Sequence, residues 1–152
     1  KAIASTGDIA RITPLPDVPS HGGRKLPEGV AFFSSQHAQF ARESANSDRE
    51  LASLGRSSEF STDMRLRLID DAQAWLLVLR QGKIERIACN AIEGTAAFTF
   101  SATREIWERV FRGTIPFFVA LYQGRMIMEG DGRKLSEWYL PCRLLFECLK
   151  IK

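Results

Sequence analysis

Every aromatic residue of this chain lies beyond position 31, and that distribution decides where a core can form. Ten Phe, three Trp and two Tyr fall in the body, while Pro14, Pro16, Pro19 and Pro27, four of the six prolines, fall in the first 28 residues. Aromatic side chains bury the largest apolar areas, so a front without them cannot build a core. Proline also holds residues 13–19 in extended or polyproline geometry, and Gly22-Gly23 then loosens the backbone. The expected organisation is a flexible leader over residues 1–26 and one folded domain over residues 27–152. A chain of 152 residues fits one domain with one real core.

Composition excludes several classes. Lys and Arg exceed Asp and Glu by 21 to 18, a net +3, well short of a dedicated nucleic-acid binder. The basic residues are scattered and no aromatics interleave with them as stacking platforms, so no nucleic-acid partner is expected. A solvated outer sheet face is the plain reading of these charges. Weak peripheral contact with anionic membranes is the functional alternative. The longest apolar run, residues 115–122, is eight residues, against about 20 for a membrane-spanning helix. No secretory signal is visible at the N-terminus. Together with an odd set of three cysteines, this leads to the expectation of reduced thiols and a cytoplasmic setting. Cys142 and Cys148 are six apart, about 120° around a helix. They make a poor metal pair and read as buried, inert thiols; no metal or cofactor is expected.

Periodicity outlines the elements. Val30, Phe33, His37, Phe40 and Ala41 recur at spacings of three and four after Pro27, as on one face of a helix. Ser47 and Glu50 read as a capping box for a short helix that Gly55 ends. From Phe60 the period changes to two: Met64, Leu66 and Leu68 alternate with Arg65 and Arg67, a half-buried strand. Residues 75–80 form an apolar run, a strand covered on both faces, and Gly82 turns the chain into a returning strand. A further strand over residues 95–100 puts Phe98 and Phe100 on one face. Ser101 reads as the cap of a helix over Ile106, Trp107, Val110 and Phe111. Then come a short helix from Phe117, a strand over residues 125–129 and a C-terminal helix that Pro141 kinks or divides. Hairpin-linked strands with segregated helices argue for an α+β layer.

The strong catalytic motifs are missing: no dinucleotide or phosphate loop, no His-Glu-x-x-His, no Cys-x-x-Cys and no nucleophile elbow. Three residues are weak candidates for a base: His37, on the apolar face of the first helix, Glu59 and Asp63. What stands out is the apolar set Trp107, Val110, Phe111, Phe117, Phe118, Leu121, Met126, Met128, Trp138, Leu145 and Phe146. It is either a helix-rich core or the wall of an apolar pocket, with paired methionines as an adaptable surface.

The stretch from Phe98 through Gly113-Thr114-Ile115-Pro116 to Gly124-Arg125 and Glu129-Gly130-Asp131, preceded by the Gly82-Lys83 hairpin, resembles the sterol carrier protein type 2-like family over roughly residues 60–150. The resemblance implies a single layered domain. It has a mostly antiparallel sheet of about five strands, covered by helices on one face and enclosing a hydrophobic tunnel for a lipid or other apolar small molecule. Phe98, Phe100 and the apolar set above would line the tunnel. It implies no catalytic residue. Binding or transfer of an apolar ligand, as carrier or presenting module, is the leading expectation. The alternatives are a small isomerase, dehydratase or cyclase using the same pocket, and an accessory or oligomerisation domain of a larger biosynthetic system, which would make self-association part of its role.

Overall fold

The computed structural model describes residues 21–152; the expected leader lies mostly outside the described residues. The chain runs α1 (Ser35–Asn46), α2 (Arg49–Ser57), β1 (Thr62–Leu68), β2 (Gln73–Arg80), β3 (Lys83–Cys89), β4 (Phe98–Ala102), α3 (Arg104–Phe111), α4 (Phe117–Tyr122), β5 (Ile127–Gly130), α5 (Gly132–Glu137) and α6 (Tyr139–Cys148). The five strands form one sheet in the order β3-β2-β1-β4-β5. Among the strands of the described residues, β1 and β4 pair in parallel and the other neighbours are antiparallel. The α+β class with a mostly antiparallel sheet is therefore as expected.

Alternation places the core. Met64 sits opposite Leu77 on one side and Phe98 on the other, and Leu66 sits between Trp75 and Phe100. These side chains share one face and are essentially inaccessible. The helices cover that face with Ala38 and Ala41 from α1, Trp107 and Phe111 from α3, Phe117 from α4 and Leu145 and Phe146 from α6. Arg67, on the other face, is exposed.

Arg65 departs from a solvated outer face. It is only 6% exposed, and its guanidinium donates to the carbonyls of Ala91 (2.7 Å), Glu93 (2.9 Å) and Gly94 (3.0 Å). The planar fork of donors suits a fan of carbonyl dipoles. It pins the crossover loop that brings β4 parallel to β1.

Several element boundaries move for identifiable reasons. The first helix begins at Ser35 rather than near residue 27, because Phe33 takes a left-handed conformation (φ 67°) and Ser34 accepts from the His37 N–H (3.1 Å). Asp48, not Ser47, caps α2 by accepting from the Leu51 N–H (2.9 Å). Gly55 does not end α2; it lies within it, against the β2–β3 turn. Ser101 belongs to β4, and Thr103 caps α3 instead. The last strand covers Ile127–Gly130 rather than 125–129, with Met126 buried just before it. The C-terminal helix divides at Trp138, leaving Pro141 in the first turn of α6, where a missing N–H costs nothing.

One edge of the sheet is met by α1. The Ile84 N–H donates to Asn46 Oδ1 (2.8 Å), Asn46 Nδ2 donates back to the Ile84 carbonyl (2.9 Å), and Arg42 Nε shares that carbonyl (3.0 Å). No described helix is long and apolar enough to cross a membrane.

Candidate functional site

Two clefts open where α4, α5 and α6 meet the end of the sheet. The larger, ≈ 470 Å³, is lined by Phe118, Leu121, Tyr122, Met128, Gly132, Leu135, Ser136 and Tyr139. The smaller, ≈ 290 Å³, lies between the α3–α4 turn and α6; its lining includes Val110, Pro116, Phe117, Phe146, Arg143, Glu147 and Lys150. Phe118 and Tyr139 line both. Their ring centroids are 4.6 Å apart, so this pair is the common wall.

Local sequence sets this geometry. Pro116 fixes φ at −61° in extended backbone and launches α4. Asp131 caps α5 by accepting from the Arg133 (3.0 Å) and Lys134 (3.3 Å) N–H groups. The break at Trp138 re-aims the chain so that Leu135 and Tyr139, on separate helices, face one cleft.

The expected wall residues divide into two groups. Phe118, Leu121 and Met128 line the larger cleft, and Val110, Phe117, Phe118 and Phe146 the smaller. Phe98, Phe100, Trp107, Phe111, Met126 and Leu145 belong to the buried core. Phe117 stacks on Phe146 with centroids 3.8 Å apart and planes 5° apart. Phe100 meets Phe117 edge-on at 5.0 Å. Trp107 Nε1 donates to the Arg67 carbonyl (2.9 Å). Trp138 is partly buried, its indole N–H bonded to the Ser58 carbonyl (3.1 Å) and Lys134 Nζ 4.6 Å above its ring. Tyr122, Leu135, Tyr139 and Arg143 complete the clefts, and sequence reasoning does not single them out as ligand contacts. The pairing of Leu135 with Tyr139 at helical spacing is their visible signal.

The three candidate bases are separate. Glu59 is exposed beyond α2. Asp63 sits on the outer sheet face, accepting from the Ala97 N–H (2.7 Å). Neither they nor His37 lines either cleft. His37 is sealed among Phe32, Trp75 and Phe111. Its Nδ1 accepts from the Phe33 N–H (2.8 Å), leaving Nε2 buried with no partner among the described residues. Burial, then the charge of Arg112, depresses its pKa to about 4.

A depressed histidine pKa makes stability fall with acidification. Between the unfolded value of 6.5 and about 4, the unfolded chain binds a proton that the folded chain refuses. The expected loss is about 2 kcal/mol from pH 7 to pH 5, measured as a fall in urea midpoint. The His37→Phe variant should lack that fall. The comparison isolates His37 from His21, whose raised pKa acts in the opposite direction.

No family model matches the sequence, and no curated protein matches it. Solved structures do match in fold. A structure of sterol carrier protein 2 superposes with a TM-score of 0.70 at 18% identity, covering 80% of this chain and 100% of the other. A conserved hypothetical protein of Thermus thermophilus gives 0.68 at 18% identity, covering 87% and 94%. A ubiquinone synthesis protein, UbiJ-SCP2, gives 0.51 at 13% identity, covering 71% and 90%. The first two likenesses span at least four fifths of both chains, and they show that this chain has the sterol carrier protein 2-like fold.

Proposed function

We propose that the larger cleft binds the apolar part of a lipid or similar amphiphile, and that the chain works as a binding or carrier module. The observation that carries this reading is the lining. Phe118, Leu121, Tyr122, Met128, Leu135 and Tyr139 surround a space of ≈ 470 Å³ whose lining, among the described residues, holds no carboxylate and no imidazole. Such a wall offers burial, worth about 25 cal/mol per Å² of apolar surface, and no general base, which favours a binder over an isomerase or dehydratase. Across the Phe118–Tyr139 wall the smaller cleft adds Arg143, exposed and without an ion pair among the described residues, and Lys150, which pairs with Glu147 at 2.9 Å. An anionic head group suits that end. The fold family, whose solved members include sterol carrier protein 2, supports the same reading.

Titration with a fluorescent long-chain fatty acid, checked by calorimetry, tests it. A Cβ at Gly132 would lie 3.9 Å from Met128 Cε with no backbone strain, so Gly132→Leu fills the cleft from a helix start. It is expected to weaken binding about tenfold or more, about 1.4 kcal/mol, with an unchanged urea midpoint. Arg143→Gln should weaken the fatty acid but not the corresponding alcohol. Absence of binding across fatty acids, acyl esters and sterols would overturn the proposal.

A further inference from the structure

A second cluster of chemistry-bearing side chains lies where the first described residues meet the last. Gly23 N–H donates to the Lys150 carbonyl (2.8 Å), Lys152 N–H donates to the Arg24 carbonyl (3.2 Å), and Arg24 bridges Ile151 in parallel. Gly22, at φ +66°, makes this close approach. A Cβ there would press on the Glu147 carbonyl oxygen and lie 3.0 Å from that of Cys148. The docked segment sets His21 over the start of α2 and the end of α6.

There, His21 Nδ1 lies 2.5 Å from Asp48 Oδ2 and His21 Nε2 lies 2.9 Å from Glu50 Oε1. The buried, free Cys148 thiol lies beside the Asp48 carboxylate. One ligand atom each from His21, Asp48 and Cys148 falls within 4.8 Å of the others. Asp48 Oδ1 is taken by the α2 cap, so Oδ2 is the oxygen turned to the cluster. We infer that His21, Asp48 and Cys148 form a three-ligand site for a divalent cation of the zinc class, with a fourth position for water.

The chemistry of the set fits. Imidazole nitrogen, carboxylate oxygen and thiolate sulfur are the three zinc donors, at about 2.0–2.3 Å from the metal. A tetrahedral centre keeps its ligand atoms about 3–4 Å apart; the His21–Asp48 pair, at 2.5 Å, must open as metal replaces the proton between them, and the Cys148 sulfur lies within 4.8 Å of both. One thiolate and one carboxylate balance a dication. Glu50 on the other ring nitrogen is the arrangement that orients metal-bound histidines and turns the ligating nitrogen inward. Binding releases the Cys148 thiol proton and the proton on His21 Nδ1 to solvent, with no change of oxidation state. Cys142, six residues away, is buried elsewhere in the core, so the pair of cysteines is not the site; the partners come from residues 21 and 48, far off in sequence.

Cobalt(II) titration of the full chain, followed by zinc competition, tests the site. One equivalent should give the visible bands of a four-coordinate centre together with thiolate-to-cobalt charge transfer, and zinc should erase both. His21→Ala, at a partly exposed side chain, should weaken cobalt binding at least tenfold in a folded protein. Glu50→Gln should weaken it by about 10–100-fold. Cys148→Ser should abolish the charge-transfer band, and Cys89→Ser should leave it intact. Absence of the band at saturating cobalt, or its survival in His21→Ala with undiminished affinity, would overturn the assignment.

Discussion

Replacing Trp107 by alanine is expected to cost about 3–5 kcal/mol of stability, the range for deleting a buried large aromatic. The indole is fully buried and touches three other rings, with centroids 6.1 Å from Phe111, 6.4 Å from Phe117 and 6.3 Å from Phe146. Those rings belong to three different helices, so they cannot all relax into the space. The lost indole N–H also removes the 2.9 Å partner of the partly buried Arg67 carbonyl of β1, a further hydrogen-bond penalty. Urea unfolding should show the loss as a lower midpoint with an unchanged slope. A loss under about 1 kcal/mol, typical of an ordinary site, would mean that this interior is looser than the ring contacts describe.

The second large effect is expected at Gly55. Glycine inside a helix costs about 1 kcal/mol relative to alanine, so in open space Gly55→Ala would stabilise. Here the helix lies on the β2–β3 turn, backbone against backbone. A Cβ at Gly55 would sit 2.6 Å from both the Gln81 carbonyl oxygen and the Gly82 nitrogen. Neither can swing aside as a side chain could. The expected outcome is a net loss of about 2–4 kcal/mol, in the range of core overpacking. Gly82→Ala should behave alike, since its Cβ would meet Gly55 Cα at 2.7 Å and its φ is +86°. The double variant should cost less than the two losses together, because one displacement already opens the contact. Thermal or urea midpoints of the three variants decide it; a stabilised Gly55→Ala would show that the helix stands clear of the turn.

Gly55 also marks the limit of what the sequence discloses. A glycine at the end of an apolar helical pattern reads as a stop signal. Only the partner turn, nearly thirty residues later, reveals it as a contact. Where the constraint is periodic, the sequence is readable: Met64, Leu66 and Leu68 recur at every second position because their face of the sheet packs under the helices. The β2 run and its Gly82 hairpin are readable for the same reason. Arg65 is not, because its acceptors are main-chain carbonyls of a loop that any sequence could supply. The start of α1 is hidden by the left-handed Phe33. For the site, the region is legible and the open space is not. Phe117 and Phe146 look like pocket lining until they are seen stacked on one another, while the space opens beside Leu135 and Tyr139. The His21 cluster is invisible in the sequence because its members lie far apart and only the cysteines share a short spacing.

The contact between α1 and the sheet edge has a consequence for behaviour in a crowded solution. Ile84 lies on the margin strand β3, where bare backbone groups invite a strand from another molecule and so seed fibrils. The Asn46 amide answers both Ile84 groups as a neighbouring strand would, and Arg42 adds a charge at the same carbonyl. An incoming strand therefore meets, at Ile84, an occupied position and a guanidinium. The opposite margin, β5, is four residues long, a short template for intermolecular pairing. The two borders of the sheet thus limit intermolecular pairing in different ways, one by imitation at Ile84 and the other by brevity.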